Sequence, residues 1–205
     1  MIGISGLYRP IKNKNEINYE LPDNDTEFKL NLFKNKNLSI NYLNKKFKFS
    51  HFVEKNIFSI CLGEVEHESS FIGDRKASKI LFEHYQKNKL DKFLEKNGNF
   101  IFLVLDHEKL IMGKSKNSII PLFYYYDKKD FFFSYSLINI KSNINRDLKF
   151  NLYKFGQLIL TNGVILDNET IFDNIKFLLN GEILKLNQNK ISLKRKSYFT
   201  YYPEF

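Results

Sequence analysis

Five consecutive apolar residues, Ile101-Phe102-Leu103-Val104-Leu105, are the strongest constraint on how this chain can fold. In a strand, neighbouring side chains point to opposite faces, so such a run is apolar on both faces and its sheet must be covered on both sides. That requires a layered sandwich. The run is far shorter than the ~20 residues a membrane helix needs, as is the one at 119–126. No charged-then-apolar leader opens the sequence, so a soluble, cytoplasmic protein is expected. With 43% apolar residues and 21 Phe in 205 positions, one sizeable core is affordable and one globular domain is the default.

Short β runs at 28–33, 57–65, 100–105, 110–113, 122–126 and 131–135 dominate the first two thirds of the chain. Two polar breaks, Asp106-His107-Glu108-Lys109 and Asp127-Lys128-Lys129-Asp130, predict hairpins. A last β pair, 182–186 with 190–193, turns at Asn187-Gln188-Asn189. Between them, 75–93 spaces Ile80, Leu81, His84, Tyr85, Leu90 and Phe93 as one helix face, and a second helix is predicted at 152–161. Antiparallel strands with intervening helices give an α+β architecture. The Asn/Lys-rich stretch 12–25 is expected to be an exposed loop.

The net charge of +9 raises nucleic acid as a partner, but the lysines are spread along the chain with Asn, Ile and Phe. A diffuse solvated surface is the better reading. The aromatic runs Tyr124-Tyr125-Tyr126 and Phe131-Phe132-Phe133 could stack on bases, but as a hairpin they are read as core. The single cysteine, Cys61, excludes an internal disulfide and is read as buried and structural, pointing away from Leu62. Four scattered histidines show no metal-ligand spacing, so no metal is expected. His67 with Glu64 and Glu66 is read as a surface turn rather than a polar cluster.

Several segments resemble one family. The start Met1-Ile2-Gly3-Ile4-Ser5-Gly6 has its apolar-Gly-apolar-x-Gly beginning. Leu94-Glu95-Lys96-Asn97-Gly98-Asn99-Phe100-Ile101-Phe102 resembles "L-x-x-L-N-G-x-F-A-F", and Lys114-Ser115-Lys116-Asn117-Ser118-Ile119-Ile120-Pro121-Leu122-Phe123-Tyr124 resembles "R-D-x-x-G-x-x-P-L-Y-Y". Thr170-Ile171-Phe172-Asp173-Asn174-Ile175 and Leu179-Asn180-Gly181-Glu182-Ile183-Leu184 are similar to "T-x-F-x-x-I" and "P-P-G-x-x-L". In this order they resemble the class II glutamine amidotransferase domain of the asparagine synthetase family, an N-terminal nucleophile hydrolase. The resemblance implies a four-layer αββα sandwich of two antiparallel sheets between helices. It places the domain at 1–197 and the start of a linker at 198–205.

The same resemblance implies a glutamine pocket, and four of its positions read as lost. Ile2 stands where the family has the cysteine whose thiolate attacks the amide while its own α-amine serves as base. Asn37 stands where an arginine would hold the substrate carboxylate with its planar fork. Leu62, followed by the retained Gly63 and Glu64, replaces the asparagine that donates to the oxyanion. Losing such a donor alone slows the reaction roughly 10²- to 10³-fold. Ala77 is placed at the aspartate that receives the substrate ammonium, with Asp74 nearby.

The expected function is therefore a domain that does not hydrolyse glutamine and that scaffolds the synthetase half of an ATP-dependent amide ligase, in cis or as a separate subunit. ATP and magnesium would belong to that half, because its "S-G-G-x-D-S" pyrophosphate loop does not occur in these 205 residues. A homodimer is possible on this reading. The alternative is a free-standing adaptor or ligand-binding protein that reuses an emptied, more apolar cleft.

Overall fold

A computed structural model of the chain describes residues 2–8, 30–34, 38–44, 51–127, 130–144, 148–161, 167–187 and 190–195. In chain order the elements are β1 (Ile2–Tyr8), β2 (Leu30–Lys34), β3 (Leu38–Asn44), β4 (His51–Glu54), β5 (Ile57–His67), β6 (Ser70–Ile72), α1 (Asp74–Gln86) and α2 (Leu90–Leu94). They continue with β7 (Gly98–Asp106), β8 (Lys109–Lys114), β9 (Phe123–Tyr126), β10 (Phe131–Ser134), α3 (Leu137–Asn143), α4 (Leu152–Leu160), β11 (Ile175–Phe177), β12 (Glu182–Asn187) and β13 (Lys190–Arg195).

The strands form two antiparallel sheets. The first runs β11-β9-β10-β1-β3-β2, and the second runs β13-β12-β8-β7-β5-β4 with β6 added to β5. The alternation along β7 shows why both faces had to be apolar. Ile101, Leu103 and Leu105 point between the sheets, where they meet Ile4, Tyr8, Leu62, Phe131 and Phe133. Phe100, Phe102 and Val104 point the other way, into a cluster with Ala77, Leu81 and Phe93 of α1 and α2. On the outer face of the first sheet, Leu7, Tyr125 and Phe132 pack with Ile140 of α3 and Ile144. The order helix, sheet, sheet, helix expected from the sequence is present.

The expected hairpins form, with His107 in the left-handed region (φ 51) in the β7–β8 turn. At the β9–β10 end the Asp130 N–H donates to Asp127 Oδ1 at 2.8 Å. The helix expected over 75–93 is two helices. Asn88 sits at φ 53, a conformation asparagine tolerates better than most residues, and the chain turns there before α2 begins. The β12–β13 pairing is as expected, although Gln188 and Asn189 of its turn lie outside the described residues. So do the expected loop at 12–25 and the tail at 198–205.

Candidate functional site

The sequence places candidate chemistry at the start of β1 and at the Leu62-Gly63-Glu64 segment of β5, and the sandwich brings these together. β1 lies at the middle of the first sheet between β10 and β3, with Ile2 opposite Asn44 and Gly6 opposite Ile40 and Phe133. Ser5 and Ser134 tie β1 to β10 through a 2.6 Å hydroxyl–hydroxyl hydrogen bond. Ile4 projects between the sheets and shares one packing region with Leu62, Ile60, Ile101, Met112 and Leu122. That region has no room for a water molecule. Leu62 is thus packed tightly into the interior between the sheets.

Gly63 lies inside β5, which runs through it to His67. It sits at φ 106, where a Cβ would lie 2.0 Å from the Asn99 carbonyl oxygen. Across the ladder Gly98 sits at φ 135, and its Cβ would lie 2.1 Å from the Glu64 oxygen. Two glycines from two separate motifs therefore serve one close approach of β5 and β7, which side chains would prevent. The motif after β8 locks onto the same place. Ser115 Oγ donates to the Gly98 carbonyl (2.9 Å) and accepts from the Phe100 N–H (3.2 Å). Asn99 Oδ1 accepts from the Ile119 N–H at 3.1 Å.

Glu64 is exposed beside this crossing. Glu66 accepts from Asn97 Nδ2 at 2.6 Å, whereas His67 lies 3.5 Å from Glu68 in the β5–β6 turn. The surface turn expected for His67 is what forms. Cys61 is buried on the helix side of the sheet, opposite to Leu62, also as expected.

Ala77 is fully buried one turn into α1, in the cluster between helix and sheet, and so lies on the opposite face of β5 from Leu62. Spacing along a strand and a helix does not tell which face of a sheet each will cover. The polar neighbour Ser78 explains the local fit. Its hydroxyl accepts from the Cys61 N–H (2.9 Å), and its carbonyl accepts from Ser59 Oγ (3.0 Å), pinning α1 to β5. The residue that begins α1 is Asp74, directly after Gly73, whose Cβ would be 3.3 Å from the Gly63 carbonyl oxygen. The backbone at the start of α1 thus lies close to the motif glycine. Asn37 lies outside the described residues.

One buried charge was not singled out from the sequence. Lys114, at the end of β8, is only 2% exposed, and burial pulls its amine down to about 8. Its Nζ lies 4.2 Å from the Phe177 ring centre. Nearby in the same core, burial and then the Glu182 carboxylate push the Tyr124 phenol up to about 12, and its hydroxyl has no hydrogen-bond partner among the described residues. The signal for Lys114 was available as a lone lysine closing an apolar run, Leu110-Ile111-Met112-Gly113.

Sequence comparison with known families matches residues 65–199 to the glutamine amidotransferase domain. The chain belongs to that family. The matched stretch carries Ala77 but begins beyond Ile2, Asn37 and Leu62. Among solved structures, this amidotransferase domain is similar to glutamine phosphoribosylpyrophosphate amidotransferase from B. subtilis complexed with ADP and GMP, at 13% identity and a TM-score of 0.48. It is also similar to a structure described as the allosteric regulatory enzyme of purine biosynthesis, at 12% identity and a TM-score of 0.49. Each comparison covers 80% of this chain but 36% of the other, so the chain spans about a third of the length of these proteins. No curated protein matches the sequence. Among the described residues, no helix is long and apolar enough to cross a membrane, and no group of His, Cys, Asp or Glu is placed to hold a metal.

Proposed function

We propose that this amidotransferase domain does not hydrolyse glutamine and that it scaffolds the synthetase half of an asparagine-synthetase-like, ATP-dependent amide ligase. The observation that carries the reading is the packing of β1 against β5 across the sandwich. The position that would supply the nucleophile is Ile2, at the start of β1, and the position that would donate to the oxyanion is Leu62. Leu62 packs in the interior with Ile4, leaving no space for water. An aliphatic side chain offers neither a nucleophile nor a donor to developing charge.

Asp74, at the start of α1, would substitute for the acid missing at Ala77 only if its loop shifted. ATP and magnesium would be held by the synthetase half, since this chain has no pyrophosphate loop of its own.

The test is direct. The purified chain, and an Ile2→Cys variant processed to expose the cysteine, are incubated with glutamine while glutamate and ammonia are followed. Neither is expected to turn over, because Leu62 still withholds the oxyanion donor in the variant. Sustained release by the native chain would overturn the reading. Turnover by the variant alone would show that the pocket around Leu62 remains competent.

A further inference from the structure

Helix α4 is built inside out. Of its nine residues, Leu-Tyr-Lys-Phe-Gly-Gln-Leu-Ile-Leu, the one that is buried is Lys154, at 6% exposure. Its amine is held by the Asp167 and Glu169 carboxylates, the latter at 3.1 Å. Leu152, Tyr153, Ile159 and Leu160 are 75, 79, 62 and 87% exposed. At 3.6 residues per turn, positions 152, 153, 156, 159 and 160 fall on one stripe, diametrically away from Lys154.

Gly156 stands at the centre of that stripe. A Cβ built on it would have no atom within 4 Å, so nothing among the described residues requires a glycine there. Glycine in mid-helix weakens the helix relative to alanine, and its usual return is the close approach of another backbone. An exposed apolar stripe with a glycine at its middle has the shape of a helix-crossing point.

We propose that this stripe is the contact face of a homodimer, in which α4 of one copy crosses α4 of a second copy at Gly156 about a two-fold axis. In an antiparallel crossing, Leu152 and Tyr153 of one copy face Ile159 and Leu160 of the other, so one patch serves both partners. With Phe150 and Phe155 beside it, and at ~150–250 Å² per large side chain, the partly exposed patch offers on the order of 800 Å². That is about what each partner contributes to a stable interface of standard size. Charge points the same way. Two copies each carrying +9 repel wherever their lysines meet, but this stripe carries no lysine, since Lys154 lies on the opposite side of α4 and is paired with Asp167 and Glu169.

Gly156→Leu and Gly156→Cys variants of the full chain provide the test, alongside the native protein in sedimentation equilibrium and thermal melting. The native chain is expected to dimerise with concentration. Gly156→Leu should weaken the dimer at least tenfold, while its melting temperature, measured in dilute monomer, stays the same or rises because the added side chain meets open space. Gly156→Cys should form a disulfide-linked dimer under mild oxidation, the native Cys61 being buried. A native chain that stays monomeric at all concentrations would overturn the proposal. So would a dimer unaffected by Gly156→Leu, which would use another face, or a stripe shown to be covered by a ligase domain instead.

Discussion

Helices α1 and α4 have opposite relationships to the sandwich. α1 lays Ala77, Ser78, Leu81 and Phe82 against the second sheet and keeps Arg75, Lys76, Lys79 and Glu83 outside. α4 buries a lysine and leaves Leu152 and Leu160 in solvent. The two helices show that apolar content and burial are separate properties. α1 is the more charged helix yet belongs to the core. α4 is the more apolar, yet apart from Leu158 at the wall of a cavity of about 320 Å³, its apolar side chains face outward. A contiguous face that is apolar and outward points to assembly rather than to folding.

Three substitutions sharpen this contrast, in order of expected effect. Phe93 in α2 packs edge-on to Phe100 and Phe102 at ring distances of 5.3 and 5.6 Å and is fully buried under α1. Phe93→Ala should lower unfolding free energy by about 3–5 kcal/mol in denaturant titration, as for other core aromatics. A loss below 1 kcal/mol would mean that the α1–α2 side is not the well-packed face of the molecule.

Lys114→Met should act in the other direction. Burial pulls the Lys114 amine from 10.5 to about 8, so between those values the unfolded chain holds more protons than the folded one. Stability of the native chain therefore rises with pH across that window, and below it the folded state carries the full cost of a buried charge. Lys114→Met should gain roughly 1–3 kcal/mol at pH 7, with the gain shrinking towards pH 10.5. A pH-independent gain would place the lysine in solvent.

The smallest effect is expected on α4. Leu160→Ser, measured at a dilution where the chain is monomeric, should change stability by no more than about 0.5 kcal/mol, since its side chain touches little. A large loss would mean that α4 is folded inward after all, and the contrast with α1 would disappear.

Much of the fold was legible in the sequence. The five-residue apolar run at 101–105 required cover on both sides of its sheet, and it has cover on both. The hairpins at 106–109 and 127–130 were marked by polar turns, and the helix at 152–161 by its apolar spacing. Other elements were not legible. β3 alternates Leu38, Ile40 and Tyr42 against Ser39 and Asn41, but the surrounding Asn and Lys hid it, and α3 reads Leu-Ile-Asn-Ile, as a strand would. β1 was read as a terminus carrying chemistry, while in the fold it is a central strand of the first sheet.

Within the candidate site, the sequence placed Ile2 and Leu62 in one region, and β1 and β5 do meet there through Ile4 and Leu62. The sheet face that Ala77 covers was not legible, because it depends on how the helix docks. The glycines at 63 and 98 were visible as motif residues, but that they serve a single crossing of two strands was not.

The sequence by itself determined the layered α+β class and the family, because these are properties of residue type and order. Tertiary structure alone decided which side of the second sheet Ala77 faces, that Asp74 begins the helix beside Gly63, and that α4 turns its lysine inward. The reason is that a side chain's surroundings are set by contacts between residues far apart in the chain, and no local spacing encodes which of its two faces an element will bury.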